Sequence, residues 1–178
     1  MMKRIIATVV LGCLFIPAIA QPPVKTKAKP DPVVAVGTGC DNIIADLYTG
    51  RVNGLKPTTS MSAVKKKLPC FTGESTEGGN VNCGGGVFYL NNDIYFYTGR
   101  NYIELRDKFS GRTEPALLGT QRRDAVTKLG VADIEIDGGR VLIYKKPYGS
   151  LRLLFNMEGR CIEIGIHDSS PDKVELCE

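Results

Sequence analysis

Ile94-Tyr95-Phe96-Tyr97-Thr98-Gly99-Arg100-Asn101-Tyr102-Ile103-Glu104-Leu105-Arg106 is the stretch on which the fold turns. Two short runs alternate about a Thr-Gly-Arg-Asn connection, as the arms of a hairpin do. Ile94 and Phe96 share one side of the first run, and Tyr95 and Tyr97 the other. In the second, Ile103 and Leu105 turn inward and leave Tyr102, Glu104 and Arg106 outward. A period of two on both arms predicts antiparallel strands with one face on a core.

The same pattern continues in both directions. Strands are expected at 87–90, 94–98 and 102–106, then at 132–136, 140–145, 151–156 and 161–167. Asn91-Asn92-Asp93 and Asp137-Gly138-Gly139 are turn chemistry for tight hairpins. Leu151, Leu153 and Phe155 face inward and leave Arg152 outward; Ile162, Ile164 and Ile166 share one side, with Glu163 and His167 on the other. A short helix precedes each set of strands. Ser60 or Thr59 is the candidate N-cap of the first, with Pro69 as its stop; Thr120 and Gly130 play those parts for the second.

These helices align with each other. Thr58, Ala63, Val64 and Lys66 fall on Thr120, Ala125, Val126 and Lys128 at an offset of 62. The strands align at a smaller offset: Tyr97 with Tyr144 at 47, and Leu105 with Leu153 and Gly111-Arg112 with Gly159-Arg160 at 48. The shortfall of 14 residues equals the span from Cys70 through Cys83, which reads as an insertion in the first half. The expected fold is therefore α+β: a tandem repeat, about 40–114 and 115–178, of a short helix and an antiparallel meander, disulfide-stabilised. A unit of about 60 residues has a marginal core alone. Side by side, two units bury one sheet face under two helices and leave a broad second face.

Upstream of this body, Lys3 and Arg4 precede an apolar run from Ile5 to Ile16 and the small residues Ala18 and Ala20, the pattern of a secretory signal peptide over residues 1–20. The rival is a lipoprotein signal, with Val10-Leu11-Gly12 before Cys13. Residues 21–39 hold four Pro and Lys25, Lys27 and Lys29, a composition that reads as a disordered linker. Residues 1–39 take five of the 23 cations and one of the 19 acids, so the body carries eighteen of each. A neutral body argues against nucleic acid as a partner. A periplasmic or secreted location is expected, with membrane contact only if the chain is lipidated or tethered.

An exported chain oxidises its thiols. Cys70 and Cys83 bracket a polar, Gly-rich loop whose closure is worth about 3 kcal/mol in loop entropy. Cys161 with Cys177 is the preferred second pair, Cys40 with either of those two is the rival, and Cys40 is the expected odd cysteine. No Cys-x-x-Cys or Gly-x-Ser-x-Gly occurs, so zinc, thioredoxin-like redox and nucleophile-elbow chemistry have no motif, and no catalytic residue or cofactor is assigned. His167-Asp168 could orient an imidazole, but a surface histidine at a strand end is the simpler reading. Lys65-Lys66-Lys67 and Arg122-Arg123 read as solvated helix faces, with anionic lipid as the sharper alternative.

A helix of form Thr/Ser…Ala-Val-x-x-x-Leu, and the stretch from Met61 to Cys83 above all, resemble the tandem-repeat fold of the β-lactamase inhibitory protein family. They are also similar to the single-repeat small outer-membrane assembly lipoproteins. The resemblance implies a concave sheet face that binds another protein; the second half departs from it in having no cysteine pair after its helix.

Six of the seven tyrosines lie in the strand region, and the outward face collects Tyr and Arg, the types enriched at interface hot spots. Tyr95, Tyr97, Tyr102, Arg106, Tyr144, Tyr148 and Arg152 are the candidate contact residues. The function expected is an exported, non-enzymatic protein-binding module of inhibitor, immunity or envelope-assembly type, its partner another exported or envelope protein. A tethered structural envelope protein is the alternative, and a hydrolase or small-ligand binder using His167 a further one.

Overall fold

The computed structural model describes residues 40, 42–75 and 85–174. Along the chain run β1 (Ile44–Asp46), β2 (Arg51–Val52), α1 (Met61–Lys67), β3 (Gly73–Ser75), β4 (Gly86–Tyr89), β5 (Ile94–Tyr97), β6 (Tyr102–Arg106) and β7 (Arg112–Glu114). They are followed by α2 (Arg122–Leu129), β8 (Ile134–Ile136), β9 (Val141–Lys146), β10 (Gly149–Phe155) and β11 (Cys161–His167). The protein is α+β. Eight antiparallel strands form one sheet in the order β3-β4-β5-β6-β11-β10-β9-β8, and a second sheet of order β2-β1-β7 has a parallel β1–β7 pair.

The helices start and stop where their chemistry directs. Ser60 Oγ accepts the Ala63 amide at 3.4 Å, and Leu68 ends α1 ahead of Pro69. Gly130 closes α2 at φ 88°. At its start Thr120 is not the cap: its hydroxyl donates back to the Leu117 carbonyl at 2.6 Å, and Gln121 takes the cap position with no side-chain bond.

One core joins the elements. Val64 and Leu68 from α1 and Ala125 from α2 are buried in a single cluster with Val87, Tyr89, Ile94, Phe96, Ile103, Leu105, Leu151, Leu153, Phe155, Ile164 and Ile166. A fully buried aliphatic or aromatic side chain contributes about 1.5–3 kcal/mol, so this face dominates stability. Tyr89 is wholly buried and satisfies its hydroxyl by donating to the Leu68 carbonyl at 2.7 Å, tying β4 to the end of α1.

Three sequence expectations are corrected. Cys70 pairs with Cys40, not with Cys83. The β1–β7 pairing carries the segment entering β1 past the β4–β5 turn, where Asn92 Nδ2 donates to the Cys40 carbonyl at 3.5 Å, and Cys70 follows the end of α1. The segment after Cys70 is thus not a closed insertion: it supplies β3, an edge strand of the main sheet. Cys40 is not the odd cysteine, and Cys161 is unpaired and buried rather than bonded to Cys177. Cys83 and Cys177 lie outside the described residues, as do the signal, linker and lipidation readings of residues 1–39. Finally, strict alternation fails at Ile162. β11 slips register there, Phe155 pairing with Cys161 and Leu154 with Glu163, so Ile162 is the extra residue of a bulge. The slip brings Cys161 onto the core side.

Candidate functional site

The sheet face away from the helices is built in rows fixed by strand register. One row runs Tyr97, Tyr102, His167, Ser150, Lys145 across β5, β6, β11, β10 and β9. The next runs Tyr95, Glu104, Gly165, Arg152, Ile143, and a third carries Arg106, Glu163 and Leu154. Directly opposed side chains on one face touch, so a face composed of rings and charges becomes a contact network.

The rings form a ladder. Tyr95 and Tyr97 are stacked at 6.2 Å, Tyr97 and Tyr102 at 4.4 Å, and Tyr102 and His167 at 4.9 Å. Phe88 packs against Tyr95 and Tyr97 at 6.0 and 5.6 Å. At the outer end the Arg106 guanidinium lies 4.2 Å over the Tyr95 ring, a cation–π contact.

The charges interlock beside it. Arg106 Nε donates to Glu104 Oε1 at 2.5 Å, Arg152 pairs with Glu163, and Arg152 lies 3.9 Å from Glu104. Burial holds the Glu163 carboxyl above its ordinary range despite Arg152. Burial first, and the Arg152 charge second, push the His167 imidazole down to about 3, so it is neutral at physiological pH. Burial raises the Tyr97 hydroxyl to about 12.

Gly165 is the centre of this face. A Cβ there would stand 2.6 Å from His167 Nε2 and 3.1 Å from Arg152 Nε. Those two nitrogens fill the space a side chain would take, and both are buried without a hydrogen-bond partner.

The predicted contact residues do not all meet. Tyr95, Tyr97, Tyr102, Arg106 and Arg152 share the face, yet Tyr97, Tyr102 and Arg152 are buried in it, and Tyr95 and Arg106 are the partly exposed members. Tyr144 is corrected. It pairs with Leu151 and belongs to the core beneath α2. The hairpin analogy with Tyr97 put it outside, whereas its register with a core leucine puts it inside. Tyr148 is corrected too: it sits on the β9–β10 turn, donates its hydroxyl to the Leu47 carbonyl at 2.9 Å, and packs toward the small sheet. His167 is not a surface histidine; it is 4% exposed. Sequence reasoning left Glu104, Glu163, Gly165 and His167 out of the site, although alternation had already placed Glu104, Glu163 and His167 outward. On the helices, Lys65 pairs with Glu74 at 2.6 Å and Arg122 with Glu135 at 2.8 Å, which occupies part of the two basic runs.

Among the described residues no group of three His, Cys, Asp or Glu is placed to hold a metal ion, and no helix is long and apolar enough to cross a membrane. Comparison of the chain with protein-family models, curated proteins and solved structures gives no match.

Proposed function

We propose that this protein is an exported, non-enzymatic binding module that engages another exported or envelope protein with the Tyr/Arg face of its large sheet. The observation that carries this reading is the ladder from Tyr95 to His167, capped by Arg106 and braced by the Glu104–Arg152–Glu163 network. Side chains locked before binding lose little rotamer entropy on contact, which is what an efficient interface requires. In this reading Tyr95, Arg106 and Phe88 touch the partner, and Tyr97, Tyr102, Glu104 and Arg152 hold them in place.

The reading extends to the plan of the chain as two related units. The central β6–β11 pair divides the sheet into four consecutive strands after α1 and four after α2. The tandem repeat suggested by the helix and strand offsets accounts for that order with one unit used twice.

The test is capture from secreted and envelope fractions with the oxidised chain from Gln21, followed by a Kd for the purified partner. A Tyr95→Ala/Arg106→Ala variant with an unchanged melting temperature should bind at least tenfold more weakly. Equal affinity in that variant removes the face from the proposal.

A further inference from the structure

One cavity of the described residues lies off the large sheet. It has a volume of about 560 Å³ and lies where the β1–β2 turn, the loop before α1 and the β9–β10 turn meet. That volume falls within the range of small-molecule sites, roughly 300–1,000 Å³.

Its walls are aromatic and proline-rich: Tyr48 and Pro57 from one side, Pro147 and Tyr148 from the other. Local bonds set the backbone at Tyr48 and Pro57 and the hydroxyl of Tyr148. Asp46 accepts the Tyr48 and Thr49 amides at 2.9 and 3.2 Å and the Thr49 hydroxyl at 2.7 Å, which sets the turn. Thr59 Oγ1 accepts the Lys56 amide at 2.9 Å and closes the turn that contains Pro57. The Tyr148 hydroxyl is spent on Leu47, so its ring remains as wall surface. Gly50, at φ +66°, lets the turn close on that ring, since a Cβ there would stand 2.5 Å from it. Tyr48 is 61% exposed, a large ring at the mouth with most of its surface in water. A wall fixed in the absence of ligand is what a preformed pocket needs.

The rim carries Arg51, Lys56 and the acid Asp168, all exposed, and Asp46 is the cross-strand partner of Arg51, its carboxylate engaged by the Tyr48 and Thr49 amides and the Thr49 hydroxyl. Flat apolar walls select a ring that can stack, and an exposed guanidinium and ammonium at the mouth are donors for a negative group on it. We propose that this cavity binds a small aromatic anion, its ring between Tyr48 and Tyr148 and its acid group at Arg51 and Lys56. The site stands apart from the sheet face, sharing none of that face's residues, and Tyr148, which the sequence grouped with the face, belongs here.

The test uses 1-anilinonaphthalene-8-sulfonate on the folded full-length chain, with uncharged N-phenyl-1-naphthylamine as comparator. The anionic dye should saturate at one equivalent and bind at least tenfold tighter than the neutral one. Arg51→Glu/Lys56→Glu should weaken the anion at least tenfold and leave the neutral dye unchanged, while Tyr48→Ala weakens both. All of these substitutions are on exposed side chains, and unchanged melting temperatures verify the fold. Arg106→Ala, on the sheet face, should leave dye binding intact. Absence of saturable binding, equal affinity for the two dyes, insensitivity to the Arg51/Lys56 variant, or loss of binding in Arg106→Ala each overturns the proposal.

Discussion

His167 Nε2 lies 2.6 Å from where a Cβ of Gly165 would stand, so the imidazole occupies the side-chain space of a residue two positions earlier on its own strand. The ring is stacked on Tyr102 at 4.9 Å and cannot swing aside cheaply. Gly165→Ala should therefore force His167 out of the ladder and destabilise the fold by about 1–3 kcal/mol, the usual cost of overpacking. A urea midpoint and the Tyr102 ring shifts in NMR check this; unchanged ring shifts would sink it.

Acidification should act through the same histidine. Its folded pKa, about 3, is far below the unfolded value of about 6.5. Between those limits the unfolded chain binds more protons, so the stability His167 contributes is fully present above about pH 6.5 and is lost as pH falls, by up to about 1.4 kcal/mol per pH unit. Glu163 works in the opposite sense, since its raised carboxyl favours the folded state at low pH. Tyr102 from β6 and Arg152 from β10 flank the ring, Arg100 and Lys173 line the same pocket as His167, and Arg152 adds to the penalty on a charged imidazole. Urea midpoints across pH should slope less in His167→Gln than in the parent and more in Glu163→Gln. Parallel curves for parent and His167→Gln would contradict this assignment.

Tyr97 and Tyr95 alternate with core residues on one strand and share a face, but they should behave differently on truncation. Tyr97 is 7% exposed between Tyr95 and Tyr102, so Tyr97→Ala should cost about 3–5 kcal/mol, as large buried aromatics do. Tyr95 is half-buried at the end of the ladder, and Tyr95→Ala should cost under half as much. Comparable losses would mean the ladder is anchored at its outer end.

Much of this architecture was legible because the strands are long enough to alternate. All seven strands expected from the sequence recur within two residues at each end; the largest offsets are at the starts of 132–136, which begins at Ile134, and 151–156, which begins at Gly149. The missed elements are β1, β2, β3 and β7, each of two or three residues, too short to show a period. β1 and β7 pair Ile44 with Arg112, a contact no local pattern can announce. The contact face was legible as a side of the sheet and not as an exposed surface: alternation gives direction, whereas burial of Tyr102 or Glu104 depends on neighbours from other strands. Tyr144 failed because analogy between hairpins replaced register. Ile162 failed because it is the extra residue of a bulge, which inverts the phase and turns Cys161 to the core in its place.

The Cys161 thiol should be silent in the native state. Burial pushes its pKa up to about 12, and it is 1% exposed beside Phe155 in the core. Reactivity follows thiolate fraction and access, and this group has neither. Ellman's reagent should leave Cys161 unmodified in the folded, oxidised chain and label it in urea. Labelling at the same rate in both states would show that β11 opens freely.

The Cys40–Cys70 bond should be the covalent anchor of the small sheet. It spans 30 residues that include β1, β2 and α1, and closing a loop of that size removes about 3.5 kcal/mol of unfolded-state entropy. Cys40→Ser and Cys70→Ser should each lower stability by that order, and the double variant should lose no more than either single one, because both remove the same bond. The loss should fall on the β1–β2–β7 end: amide exchange at Ala45 and Thr113 should quicken more than at Ile103 or Ile164, whose strands are held by neighbours on both sides. Non-reducing peptide mapping gives the direct check. A peptide linking Cys40 to Cys70 is the expected product; one linking Cys70 to Cys83 would overturn the pairing and return the segment after Cys70 to a closed loop.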